Sequence, residues 1–311
     1  EQAYECYKYA HEIDKNDTDV LQKLAVAAQT LNYNDDAINY WNLFMALKPE
    51  DPISYNQLLD LYFHNNKYEY YMTRAKLKTL EQRIAQATDD YKKAINNTTD
   101  EKEIITARYL LAQSYEIINK PMQAIDEYLK ILDHDHNENV YLSLANLYYT
   151  EDKPAAINVL QQAINHYPQS VAIKEFLCQL YLATGNCEQA EKYAVSVFNK
   201  IKALLMQEKN DEAYELLQTL TDKDKQDISY PALMAEYYYN KGEDENTLKY
   251  IEMFEKLNPD SPLPSQMRAL VYEKQNNDYE AHYNWGKYYI KKNNHELALD
   301  EYLNAYNTNP K

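Results

Sequence analysis

Residues Ala281–Pro310 read A-H-Y-N-W-G-K-Y-Y-I-K-K-N-N-H-E-L-A-L-D-E-Y-L-N-A-Y-N-T-N-P. His282, Trp285, Gly286 and Tyr289 follow one another at intervals of three, one and three, with Ala298, Tyr302, Ala305 and Pro310 further on. Such spacings place large side chains on one helical face, so the stretch reads as two amphipathic helices. The first runs from Glu280 to about Lys292 and the second from His295 to about Asn307, hinged at Asn293-Asn294. Gly286 and Ala298 are small enough to let the two helices approach closely, the aromatic rings fill the wedge between them, and Pro310 stops the second.

The order large-x-x-large-small-x-x-Tyr, then Ala-x-x-x-aromatic, then Pro resembles the tetratricopeptide repeat, a helix-turn-helix unit of about 34 residues. The rest of the chain repeats it. A half unit at 1–17 carries Ala3, Tyr7 and Ala10, and the unit at 18–51 carries Leu21, Leu24, Ala25, Ala37, Trp41, Phe44 and Pro49. In the unit at 52–85, Tyr55, Leu58 and Tyr62 fit, but Tyr71 takes a place the pattern keeps for a small residue. Units at 105–137, 138–170 and 171–200 follow, with small residues at Ala112 and Ala124, Ala145 and Ala156, and Cys178 and Ala190. Further units occupy 201–227, 228–261, 262–278 and 279–311, with Ala213, Ala235, Thr247, Ala269, Ala281 and Ala298 at the close contacts. The resemblance implies one all-α array, a right-handed α-solenoid in which each unit buries its apolar face on its neighbours.

Register breaks near 73–97, 198–204 and 277–280. Ala213 follows Ala190 by only 23 residues, and Ala281 precedes Ala298 by 17, so one stretch there must both end a unit and begin the next. These places are expected to hold long continuous helices or, at Phe198–Ile201 and Asn277–Glu280, to have lost intervening chain. The first helix is a lone second helix of a unit, and no polar capping helix follows Pro310. The ends are therefore expected to continue or to cover themselves by end-to-end self-association.

Composition bounds the function. A formal net charge of −17 over 311 residues disfavours nucleic acid and anionic membrane surfaces, which require a basic face. No apolar run reaches membrane-spanning length, so direct insertion is not expected. Cys6, Cys178 and Cys187 form no C-x-x-C motif and read as reduced thiols serving as small core residues. The three glycines sit at turns (Gly185, Gly242) and at a close contact (Gly286), which leaves none for a phosphate loop or a nucleophile elbow. Neither an enzyme activity nor a cofactor is expected. His134-Asp135-His136, with Asp133 and Glu138, is the one metal-like cluster, and it falls in a turn where polar residues belong anyway.

The resemblance also implies where a ligand would sit. In that family the first helices of the units line a concave face, and the matching positions hold Asn56, Asp60 and Phe63, then Tyr109, Gln113 and Glu116. Asn146 and Tyr149 come next, then Glu175 and Gln179, then Glu236 and Tyr239. This amide, carboxylate and aromatic lining suits the backbone and side chains of a neutral or basic peptide. The carboxylate-gripping Lys and Asn of one subfamily are replaced by Gln22 and Val26, then Asn56 and Asp60, so that docking mode is not expected. The expected function is a non-catalytic scaffold binding a protein or peptide. The alternatives are the repeat arm of a larger enzyme and an envelope-assembly lipoprotein.

Overall fold

The structure, a computed structural model, describes residues 1–308; Pro310 and Lys311 lie outside the described residues. The described chain is helical almost throughout. It divides into two compact units, Glu1–Asp152 and a second beginning at Lys153.

The first unit contains α1 (Gln2–Ile13), α2 (Thr18–Thr30), α3 (Asn34–Leu47), α4 (Pro52–Tyr62), α5 (Lys67–Leu80), α6 (Ile84–Ile95), α7 (Glu101–Ile117), α8 (Pro121–Leu132) and α9 (Glu138–Tyr149). The second contains α10 (Lys153–His166), α11 (Val171–Ala183), α12 (Cys187–Tyr193), α13 (Val197–Met206), α14 (Asn210–Thr219), α15 (Ser229–Lys241), α16 (Asp244–Leu257), α17 (Leu263–Lys274), α18 (Asp278–Lys291) and α19 (His295–Thr308). Several helices start where the sequence offers a cap. The Asp17, Asp100 and Asn137 side chains accept first-turn backbone N–H groups, and Pro52 and Pro121 open α4 and α8, where a missing N–H costs nothing.

Eight turns between antiparallel helices share one device, a residue at positive φ. Asn32, Gln82, Asn119, Gly185, Glu208, Gly242, Asn276 and Asn293 hold it. A left-handed residue closes the end of one helix and reverses the chain within three residues, and Gly and Asn adopt it most readily. These turns mark the hairpins α2–α3, α5–α6, α7–α8, α11–α12, α13–α14, α15–α16, α17–α18 and α18–α19.

The hairpins close on small residues. Ala25, Ala37, Ala87, Ala112, Ala124 and Ala145 in the first unit, and Ala156, Cys178, Ala190, Ala213 and Ala269 in the second, are fully buried. Large side chains fill the wedges between them. Trp41 lies buried against Phe44, and its indole N–H donates to Gln29 Oε1 at 2.8 Å. Of the tyrosines at wedge positions, Tyr62, Tyr115, Tyr128 and Tyr181 are buried, whereas Tyr7, Tyr148, Tyr238, Tyr289 and Tyr302 are half-buried.

The register breaks hold no long continuous helix. The stretch 73–97 is not one long helix, because a turn at residues 81–83 with Gln82 at positive φ splits it into α5 and α6. α5 packs on both α4 and α6, and Ala75 on α5 and Ala87 on α6 are both fully buried. The same sharing occurs at α18, which packs on α17 and α19, with Ala281 buried and Gly286 close against Tyr302 of α19. Near 198–204 the shortfall lies in the helices themselves: α12 has 7 residues and α13 has 10. Helix sharing at α5 and α18, and short helices at α12 and α13, accompany the three breaks.

The thiols differ from expectation. All three are free, but only Cys178 is buried in the core; Cys6 is exposed and Cys187 partly so. A one-sided first helix has no neighbour over Cys6, and the turn before α12 leaves Cys187 near its rim. The terminal helices do show apolar surface: Tyr9 and Ile13 on α1, and Leu299, Leu303 and Tyr306 on α19, are exposed.

Candidate functional site

The expected ligand-facing residues fall on the first helices, and the structure treats them unequally. On α4, Asn56 and Asp60 are exposed, but the Asn56 amide already donates to the Pro52 carbonyl at 2.9 Å. Phe63 follows at 54% exposure, its ring edge-on to His64 and Tyr70. On α7, Tyr109 and Gln113 are half-buried, and Glu116 accepts the Tyr128 hydroxyl. Burial first, then this carboxylate, push the Tyr128 phenol well above its usual range. Tyr109 lines a small cavity of about 220 Å³ together with Ile105, Thr106, Asn137, Asn139 and Val140. On α9, Asn146 is exposed and Tyr149 half-buried.

In the second unit Glu175 is already committed. Its two carboxylate oxygens accept the Ser196 backbone N–H at 2.8 Å and the Asn199 side-chain amide at 2.9 Å, which holds the start of α13 against α11. Gln179 is exposed. Glu236 and Tyr239, by contrast, line an apolar-walled hollow, a cavity of about 580 Å³ between α13, α15 and α17 with Phe254 of α16 at its edge. Phe198, Met206, Ile228, Leu233, Met267 and Leu270 form its walls.

The cavity is framed by fixed polar contacts. Asn240 donates to the Leu205 carbonyl at 3.0 Å and to Asn210 Oδ1 at 3.2 Å, tying α15 to the α13–α14 hairpin. Tyr239 is held by Lys274, whose ammonium lies 3.4 Å from the ring centroid and donates to the Tyr239 carbonyl at 3.2 Å. Glu236 differs from both. Half-buried on the middle of α15, it has no hydrogen bond or ion pair among the described residues. Burial pushes its carboxyl above the usual carboxylate range, and the Lys202 charge opposes this only in part. Lys202 is itself exposed and makes no ion pair with Glu236. The lining therefore offers apolar walls, side-chain amides and one poorly solvated carboxylate, groups that recognise a ligand by shape and hydrogen bonding.

Sequence reasoning found Glu236 and Tyr239 but missed Phe198, Met206, Ile228, Met267 and Leu270. The first two sit in the shortened α13, where the repeat spacing fails, and the others occupy places that the same spacing assigns to packing. The one usable signal was the clustering of apolar residues in Val197–Met206, a helix of mostly large apolar residues with few partners in sequence.

The metal-like cluster is dispersed. His134 Nδ1 lies 3.0 Å from Glu101, His136 Nδ1 lies 2.8 Å from the Tyr141 hydroxyl, and no group of three metal-capable side chains comes together among the described residues. No helix of the described residues is long and apolar enough to cross a membrane.

No protein-family profile and no curated protein matches this chain. Solved structures similar to it include a tetratricopeptide repeat protein from Parabacteroides merdae, at 14% identity and a TM-score of 0.37, covering 93% of this chain and 98% of that one. Yeast Tom70 is similar at 13% identity and a TM-score of 0.43, covering 98% and 80%. The Cut9-Hcn1 hetero-tetramer of the APC/C is similar at 14% identity and a TM-score of 0.43, and there this chain spans 58% of the matched chain's length. The buried small residues and left-handed turns of the described residues show an all-α array of helical hairpins.

Proposed function

We propose that the chain is a non-catalytic protein-interaction scaffold whose first helices take up a neutral or basic peptide segment, with the α13–α15–α17 cavity as its main anchor. The units that present it are those read from the sequence, beginning at residues 18, 52, 105, 138, 171, 201, 228, 262 and 279. One observation carries the reading: the cavity has apolar walls and a fixed amide frame, and no described residue fills it. Buried apolar area is the main source of affinity at such anchors, and a few well-packed side chains dominate it. The net charge of −17 draws basic partners and repels acidic ones, so association slows as salt rises.

The test is affinity capture with the whole chain as bait, comparing wild type with Met206→Gln plus Ile228→Ser, two partly exposed wall positions. Lys249→Ala, on the exposed side of α16, is the control. The reading expects the wall change to lose the captured partner and the control to keep it. Loss in the control with retention in the wall variant overturns it.

A further inference from the structure

We propose that the α13–α15–α17 cavity selects a peptide segment in which a bulky apolar residue is followed directly by Lys or Arg, the apolar side chain entering the cavity and the cation pairing with Glu236. This rests on the proposed function and names the ligand chemistry of the same site.

Three features point to that occupant. First, Glu236 is a half-buried carboxylate without a partner among the described residues, whereas Glu175 and Glu191 are each held by donors of neighbouring helices. Leaving a carboxylate short of both water and donors is unfavourable, and a ligand cation removes that deficit. Second, the cavity's volume of about 580 Å³ lies within the roughly 300–1,000 Å³ of sites that enclose a ligand, and its walls at Phe198, Met206, Leu233 and Met267 are apolar. A lone ammonium would gain little from these walls, while a purely apolar ligand would bury Glu236 further without pairing it. Third, the other charge on the lining, Lys202, is exposed, so solvent screens its repulsion of a ligand cation more than the attraction of half-buried Glu236. An apolar residue adjoining a cation satisfies walls and carboxylate together.

Two pools of acetylated, amidated heptapeptides test this. One carries Leu, Ile, Met or Phe followed by Lys or Arg, and the other has Gln in place of the cation. Each is passed over the immobilised full chain and the bound fraction is counted by mass spectrometry. A charge-assisted hydrogen bond predicts recovery of the cation pool at least about tenfold above the Gln pool. Glu236→Gln should erase that preference while keeping the Gln pool, and far-UV circular dichroism checks that the variant is folded. A second readout does not depend on any variant: the Glu236 side-chain carboxyl, followed by NMR, should titrate at lower pH when the best cation peptide is bound.

Equal recovery of both pools by wild type, or a preference that survives Glu236→Gln, overturns the selectivity. Recovery of neither pool, or recovery unaffected by Met206→Gln plus Ile228→Ser, overturns the proposed function itself.

Discussion

Replacing Gly286 by Ala sets two effects of known size against each other. Within a helix the change gains about 1 kcal/mol, because Ala loses less backbone freedom than Gly. At this position, however, an added Cβ would stand 2.5 Å from Cε1, 2.6 Å from Cδ1 and 2.8 Å from Cζ of Tyr302 on α19. Ordinary carbon contacts need about 3.5–4.0 Å, so the ring must move by roughly 1 Å. It cannot swing freely, since its other side meets Tyr283 with ring centroids 5.9 Å apart. Overpacking of this kind costs about 1–3 kcal/mol, so Gly286→Ala should be neutral to about 2 kcal/mol destabilising. With Tyr302→Ala the obstacle is gone, and the same substitution should stabilise by up to about 1 kcal/mol. The coupling between the two positions, about 1–3 kcal/mol, is the quantity to measure. Urea unfolding followed by Trp285 emission reads it locally, because the Trp285 indole donates to Glu273 Oε1 at 2.7 Å and so reports on α17 against α18. Trp41→Phe removes the only other indole. If Gly286→Ala changes stability equally with and without the Tyr302 ring, the close approach of α18 and α19 through Gly286 is wrong.

Other outcomes follow from single contacts. The Asp90 side chain is 1% exposed and receives Arg74 at 2.5 Å and Lys78 at 2.7 Å, so Asp90→Ala should cost about 3–5 kcal/mol by leaving two cations unpaired. Burial alone would raise the Asp90 carboxyl, but these bonds hold it below its usual value; its contribution is therefore present above its unfolded pKa and lost as pH falls through the folded one, visible as a steeper acid limb than in Asp90→Asn. Glu236 has the opposite sign. Burial raises it above its ordinary value of 4.5, so stability falls as pH rises through that value toward the folded pKa, and Glu236→Gln should raise the melting temperature at pH 7 but not at pH 3. Glu208 holds a left-handed turn at φ 59, and Glu208→Gly should stabilise the α13–α14 hairpin by about 1 kcal/mol in urea unfolding. In the first unit, Tyr109→Ala with Tyr149→Ala should weaken a partner that spans its first helices while Lys192→Ala leaves binding unchanged, as read by affinity capture.

Much of this architecture is legible in the residues because close helix crossings tolerate few side chains. Ala37, Ala112, Cys178 and Ala269 had to be small, and all are fully buried. The positions of α5 and α18 were harder to read, for a physical reason. A helix packed on both sides needs two small faces at once, and in α5 the large Tyr71 stands where one repeat template asks for a small residue while Ala75 serves the other. The turn at Gln82 was hidden because neither Gly nor Asn marks it. At the candidate site, the position of Glu236 followed from the spacing but its lack of a partner did not. Glu175, one helical turn earlier in its own unit, is held because the shortened α13 brings Ser196 and Asn199 to it. Tertiary neighbours decide which carboxylate is spent on the fold and which stays available.

The most direct test is hydrogen–deuterium exchange on the full chain, with and without the best-recovered apolar–cation heptapeptide. Binding in the cavity predicts slowed exchange in Val197–Met206, Ser229–Lys241 and Leu263–Lys274, and around Phe254 on α16, with α14 and α19 unchanged. Protection confined to α14 and α19, or to the first unit, would contradict the account.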